Sequence, residues 1–322
     1  MFGIGLALAS AAFFGLNNAT VRRGVIHATV LQGVAITVPL GVPIFALIAL
    51  FFGGFTAMSG WSATAWGWMA LAGVVHFVLG RYGNYRATQA LGATLSTPVQ
   101  QISILVAIAL AVMFLDETLT VLNCIGIALV LIGPAIMMTR RKKITVTAKN
   151  KGFEPQYLPG MFWGLVCAFG YGASPLLIVL ALGENGSIAD SIAGILVSYT
   201  AATLVVVAMV FARGGLSYVT GQGHTSMGWF TLSAVFVAAS QLFRYMALAL
   251  APVSVVVPIQ RLSVIFRIAF NAAINRDYEV LDVWVIASVV LAVLGAVFLT
   301  VDSELVAQFF NLDAGLLSRQ LF

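Results

Sequence analysis

Apolar residues in this chain come in long blocks, and polar residues gather in short gaps between them. Ten apolar runs stand out, at roughly 3–21, 30–52, 65–88, 94–115, 120–138, 160–182, 190–211, 227–249, 253–275 and 283–301. A helix that crosses a bilayer needs about 20 such residues, and the runs have about that length. They do not alternate apolar with polar at the period of a barrel strand. The pattern predicts an all-α integral membrane protein with ten transmembrane helices. No basic segment precedes the first run as in a signal peptide, so that run is expected to stay as a helix.

Composition narrows the class. Of 322 residues 61% are hydrophobic and 8% charged, where a soluble domain carries about 25% charge. Soluble enzymes, disordered chains and nucleic-acid modules are excluded. Cys124 and Cys167 lie inside apolar runs and read as small buried hydrophobes rather than a disulfide or metal pair. The longest polar stretch, 139–159, carries Arg140, Arg141, Lys142, Lys143, Lys149 and Lys151. It reads as a topology-fixing basic loop, with an anionic-lipid patch as the alternative.

A polar break near the middle invites a search for duplication. Pro98-Val99-Gln100-Gln101-Ile102-Ser103-Ile104 matches Pro258-Ile259-Gln260-Arg261-Leu262-Ser263-Val264 at an offset of 160. Tyr85 meets Tyr245 and Ala87 meets Ala247 at the same offset. Gly67-Trp68 meets Gly228-Trp229 at 161, and Gly15 meets Gly172 at 157. The division is then a first five-helix repeat (1–138), a connecting loop (139–159), a second repeat (160–301) and a tail (302–322). An odd helix number per repeat sets the two in opposite orientations. Such inverted repeats build secondary transporters with a site near the membrane midplane.

These features resemble the drug/metabolite transporter superfamily, in its EamA-like branch. The run 85–93, Tyr-Arg-Ala-Thr-Gln-Ala-Leu-Gly-Ala, leads into a Pro-containing fourth helix. Phe114-Leu115-Asp116-Glu117-Thr118-Leu119 resembles that family's helix-end motif, with Asp116 in place of the usual Gly. The second copy, Ala273-Ile274-Asn275-Arg276-Asp277-Tyr278, is more degenerate. The resemblance implies a central cavity lined by helices 1, 3, 4, 6, 8 and 9, and a bacterial cytoplasmic (inner) membrane. It identifies the fold well and the substrate poorly.

Twelve of the 16 Lys and Arg fall on one side, counting helix ends: Arg22, Arg23, Arg81, Arg86, the six of the central loop, Arg213 and Arg276. The positive-inside rule then predicts both termini outside the cytoplasm. Many family members face the other way.

Charge inside a bilayer is costly and points to function. All 11 acids fall in loops or at helix ends, whereas Arg81, Arg244, Arg261 and Arg267 fall inside runs. Arginines without an acid at their depth suit an anion, since a guanidinium matches carboxylate or phosphate. Residues three and four apart share a helix face. Gln260, Ser263 and Arg267 form one stripe, and Ser96, Gln100 and Ser103 its mate; Arg261 is the mate of Gln101. Gln241, Arg244 and Tyr245 form a patch matched by Arg81, Asn84 and Tyr85. The patches are expected to face each other across the cavity. Asn17 and Asn18, opposite Ser174 and Pro175 in the second repeat, predict irregular backbone. His76 lies about 140° from the Arg81 face in α geometry, a candidate for proton coupling. Each has a packing alternative: interhelical bonding for the Ser and Asn residues, interfacial snorkelling for Arg81 and Arg244, core or belt packing for Tyr85 and Tyr245.

The sequence carries no catalytic constellation, metal motif or P-loop, so neither an enzyme nor a cofactor is expected. The expected function is secondary transport of a small organic anion, bearing carboxylate or phosphate, with no nucleic-acid partner. Export of amino acids or other neutral or aromatic metabolites is one alternative, and flipping of a lipid head group another. Oligomeric state stays open.

Overall fold

The structure is a computed structural model that describes residues 2–114, 120–140, 142–144, 153–183, 187–250, 259–260, 262–298, 301, 304–306 and 317–318. It is all-helical, with no strand among the described residues. The helices are α1 (Phe2–Gly24), α2 (Val30–Thr37), α3 (Gly41–Phe51), α4 (Ala63–Gly73), α5 (Arg81–Leu91), α6 (Ala93–Gln101), α7 (Ser103–Phe114), α8 (Val121–Thr139), α9 (Tyr157–Leu182), α10 (Ile188–Phe211), α11 (His224–Leu250), α12 (Ser263–Ile274) and α13 (Val283–Phe298). A π-helical segment, Val74–Gly80, joins α4 to α5 without a break. Among the described residues six helices, single or composite, are long and apolar enough to cross a membrane, and Val121–Ile136, Ser263–Ile274 and Val283–Gly295 are shorter apolar helices.

Three runs are broken, each for a local reason. The 30–51 run breaks at Val38–Leu40, where Pro39 has no N–H to give. Gly41 N then bonds Val38 O instead of reaching back four residues. The Thr37 carbonyl is left over, and Arg81 takes it. The 93–114 run breaks at Ile102, one turn past Pro98. The 259–274 segment breaks at Leu262, 160 positions later. Both breaks fall on the polar heptapeptide.

The expected irregularity at Asn17–Asn18 and Ser174–Pro175 is not present. Both α1 and α9 run through these positions as continuous helix. Asn18 Nδ2 donates to Phe14 O within its own helix, and Asn17 Oδ1 accepts from Ser233 Oγ of α11. Side chains bonded this way leave the backbone ladder intact.

Packing pairs the two halves. α1 lies against α11 and α12, while α9 lies against α5, α6 and α7, and α8 packs on α13. Small residues permit the approach: a Cβ on Gly15 would collide with the backbone of Arg267. The largest apolar cluster joins α2, α3 and α4 to α10 and α11, with Phe45 and Phe77 packed on Tyr199. A smaller cluster, with Leu91, Leu95, Ile144 and Val280, closes the end where α5 turns into α6.

Candidate functional site

The interior between α1, α5, α6, α9, α11 and α12 is polar. Its centre is Arg267 on α12, which is buried. Its Nη1 donates to Gln100 Oε1 at 2.7 Å, and its Nη2 to Ser96 Oγ at 2.8 Å and Thr88 Oγ1 at 3.4 Å. Gln100 Nε2 donates to Asn84 Oδ1, and Asn84 Nδ2 reaches Asn18 Oδ1 and the Tyr171 hydroxyl, both at 3.3 Å. The Gln100–Ser96 stripe and Arg267 therefore meet directly. They close a hydrogen-bond network over five helices, with no carboxylate bonded to it among the described residues.

The patch Arg81, Asn84 and Tyr85 fans out over two sides of α5. Asn84 faces the Arg267 network. Arg81 faces the other way and is 2% exposed. Its Nη1 donates to the freed Thr37 O at 3.0 Å and its Nη2 to the Tyr199 hydroxyl at 2.8 Å, with the guanidinium over the Phe77 and Tyr199 rings. It does not snorkel. Tyr85 donates to Thr37 Oγ1 and stacks on Phe230. Tyr245 is buried in the same apolar cluster.

Arg244 differs from these. On α11 the buried positions Phe230, Ala234, Val237, Gln241 and Tyr245 make one stripe, and Arg244 lies within it. Arg244 is itself only half-buried. Among the described residues it has no ion pair, hydrogen bond or ring partner, and its Nε is buried without an acceptor. It lies within electrostatic reach of Tyr171, Tyr245 and His76. Gln101 Nε2, Gln241 Oε1, Gln260 Nε2 and Arg267 Nε are likewise buried without a hydrogen-bond partner among the described residues, as are Thr94 Oγ1, Thr203 Oγ1, Gln222 Oε1 and Asn275 Oδ1 elsewhere. Ser263 is half-buried at the start of α12. Arg261 lies outside the described residues, as do Ser254, Pro258 and the motif at 115–119.

His76 sits in the π-helical segment, and Nδ1 is 2.8 Å from Ser174 Oγ. Its ring lies 4.6 Å from that of Tyr171. The expected 140° separation from Arg81 assumed α geometry throughout. The π-helical segment between them departs from that geometry, and the two side chains bond different partners: Ser174 for His76, and Thr37 O with the Tyr199 hydroxyl for Arg81.

Two features escaped the sequence. Tyr171 touches Phe14, His76 and Asn84. Arg22, counted as a loop charge, is 2% exposed and forms a 3.1 Å ion pair with Glu279, itself fully buried. Glu279 does lie in a loop, but that loop folds inward against Gly92. Only the unusual position of an acid two residues past Asp277 and beside apolar Val280 hinted at it.

Bundled apolar helices around a polar, acid-poor interior define a multi-pass α-helical membrane protein. Residues 1–139 match the EamA-like transporter family, whose members are transporters rather than enzymes. That match is in keeping with the resemblance to the drug/metabolite transporter superfamily. No curated protein matches the chain.

Proposed function

We propose that the protein is a secondary transporter of a small organic anion, moved by alternating access of two inverted five-helix repeats. The observation that carries the reading is Arg244. A guanidinium with no partner among the described residues, on the interior stripe of a membrane helix, is expensive unless a ligand uses it. A carboxylate or phosphate group supplies the missing charge and two acceptors at once. Arg267 is already held by Gln100, Ser96 and Thr88, so it shapes the site and adds positive potential. Gln101, Gln241 and Gln260 offer spare polar atoms for the rest of the ligand, with Tyr171 and His76 as a flat wall.

The repeat is supported by two coincidences. The helix breaks at Ile102 and Leu262 share the offset of the heptapeptide. The packing of α1 on α11 and α12 mirrors that of α9 on α5, α6 and α7. Discontinuous helices at matching positions are where such transporters place their substrate.

Thermal unfolding in detergent tests this with a probe panel of benzoate, citrate, glycerol phosphate and neutral amino acids. Expected is stabilisation by at least one of the three anions, lost in Arg244→Gln. Stabilisation by the neutral amino acids alone, or an anion effect unchanged in Arg244→Gln, overturns it.

A further inference from the structure

The contacts between residues 1–139 and the segment 157–298 are of two kinds. Toward the ends near Trp61 and Asp190 apolar packing dominates, with Phe45 and Phe77 on Tyr199 and Met69 against Gly194, beside three separate hydrogen bonds: Trp61 Nε1 to Asp190 Oδ1, Ser198 Oγ to Met69 O and Arg81 Nη2 to the Tyr199 hydroxyl. At the ends of α1, α5 and α12 they form a continuous polar seam contributed by one short segment, 267–279. Arg267 grips Ser96 and Gln100 at its deep end. Asn275 Nδ2 donates to Ala19 O and to Asn271 Oδ1, both at 2.8 Å, in its middle. Glu279 closes its outer end. Each carboxylate oxygen accepts a backbone N–H at 2.7 Å, from Ala93 and Thr94, at the N-terminus of α6. Arg22 Nε lies 3.1 Å from Oε1. The same guanidinium donates to Thr88 O and Tyr278 O and covers the Phe153 ring.

An apolar interface loses its whole burial energy when it is wetted. Hydrogen-bonded groups exchange their partners for water at a small net cost. Of the two interfaces, the polar seam is therefore the one suited to opening. A buried ion pair is weak evidence for stability but a good two-state latch, because it is either dry and paired or wet and apart. Glu279 also holds the first turn of the helix that carries Ser96, Gln100 and Gln101, so opening at the surface moves the site.

We propose that the seam is the gate on the side of the α1–α2, α5–α6 and α12–α13 connections, with Arg22 and Glu279 as its latch. This rests on the alternating-access reading. The test uses full-length protein with Cys124→Ser, Cys167→Ala and Ser96→Cys as reporter, in vesicles of each orientation, with a membrane-impermeant maleimide. In the parent, Cys at 96 labels slowly from the Glu279 side. Glu279→Gln and Arg22→Gln are expected to raise that rate at least about tenfold, equal to about 1.4 kcal/mol of closed-state preference, and to leave the rate from the other side unchanged. Asn275→Ala, which spares the ion pair, is expected to do the same more weakly, and serves if the latch variants do not fold. Unchanged labelling, or an equal rise from both sides with a lower unfolding temperature, overturns the latch. A one-sided rise in a protein that no anion stabilises keeps the latch and removes the substrate reading.

Discussion

At the scale of the residue, the arginines of the interior separate by what they touch. Arg81 and Arg267 are each bonded to named acceptors, and Arg244 to none among the described residues. Stability should follow that division. Arg267→Met orphans Gln100 Oε1, at roughly 1–3 kcal/mol for a buried group left unsatisfied, while Ser96 Oγ keeps its bond to Ala93 O. Arg244→Gln removes no bond among the described residues and should change stability by less than about 1 kcal/mol. Thermal unfolding of the two variants without ligand checks this; an Arg244→Gln loss as large as that of Arg267→Met would mean that Arg244 is a packing residue. The sequence made all three residues visible, because charge inside an apolar run needs no structure to be noticed. It could not rank them. Their partners are carbonyls and hydroxyls, such as Thr37 O and the Tyr199 hydroxyl, that every apolar run supplies and no spacing distinguishes.

At the scale of the element, the ten runs were legible because a bilayer requires an uninterrupted apolar length. The breaks were partly so. Pro39 and Pro98 announce two of them. The π-helical segment has no such marker. The corner between α5 and α6 rests on Gly92, whose φ of 87° and ψ of 163° lie where side chains are excluded. A Cβ there would also meet the Glu279 carboxylate at 3.2 Å. Gly92→Ala should cost about 1–3 kcal/mol from backbone strain alone, read as a lowered unfolding temperature. A neutral Gly92→Ala would show that the corner relaxes and that Glu279 is not seated as described. Asn17 and Asn18 give the opposite lesson. Polar residues in mid-helix suggested a break, yet a carbonyl four residues back and a serine on the next helix satisfied them.

At the scale of the molecule, the proposed duplication rests on one heptapeptide, a few scattered matches and the paired breaks at Ile102 and Leu262. The way the halves grip each other was not legible in the sequence, since the seam joins residues about 170 to 260 positions apart in the chain, and Glu279 looked like an ordinary loop acid. The basic side is open to a direct check. Both termini are expected outside the cytoplasm from the positive-inside count. A reporter fused after Phe322 should then be inactive if it works only in the cytoplasm; a fusion active there would reverse the orientation and assign the seam to the opposite compartment. Arg22 weakens that count slightly, because a residue buried in an ion pair with Glu279 contributes little to the charge outside the membrane.

The π-helical stretch at Val74–Gly80 has a consequence for how sequences of this kind are compared. A π turn holds one residue more than the α turn it replaces. A homologue with plain α-helix through this span would therefore be one residue shorter, and the residues before it would be turned by about 100°. An ungapped alignment would pair His76 with a residue that points away from Ser174. The single-residue gap, and where it is placed along 74–80, then decides which position in the other chain stands where His76 stands here.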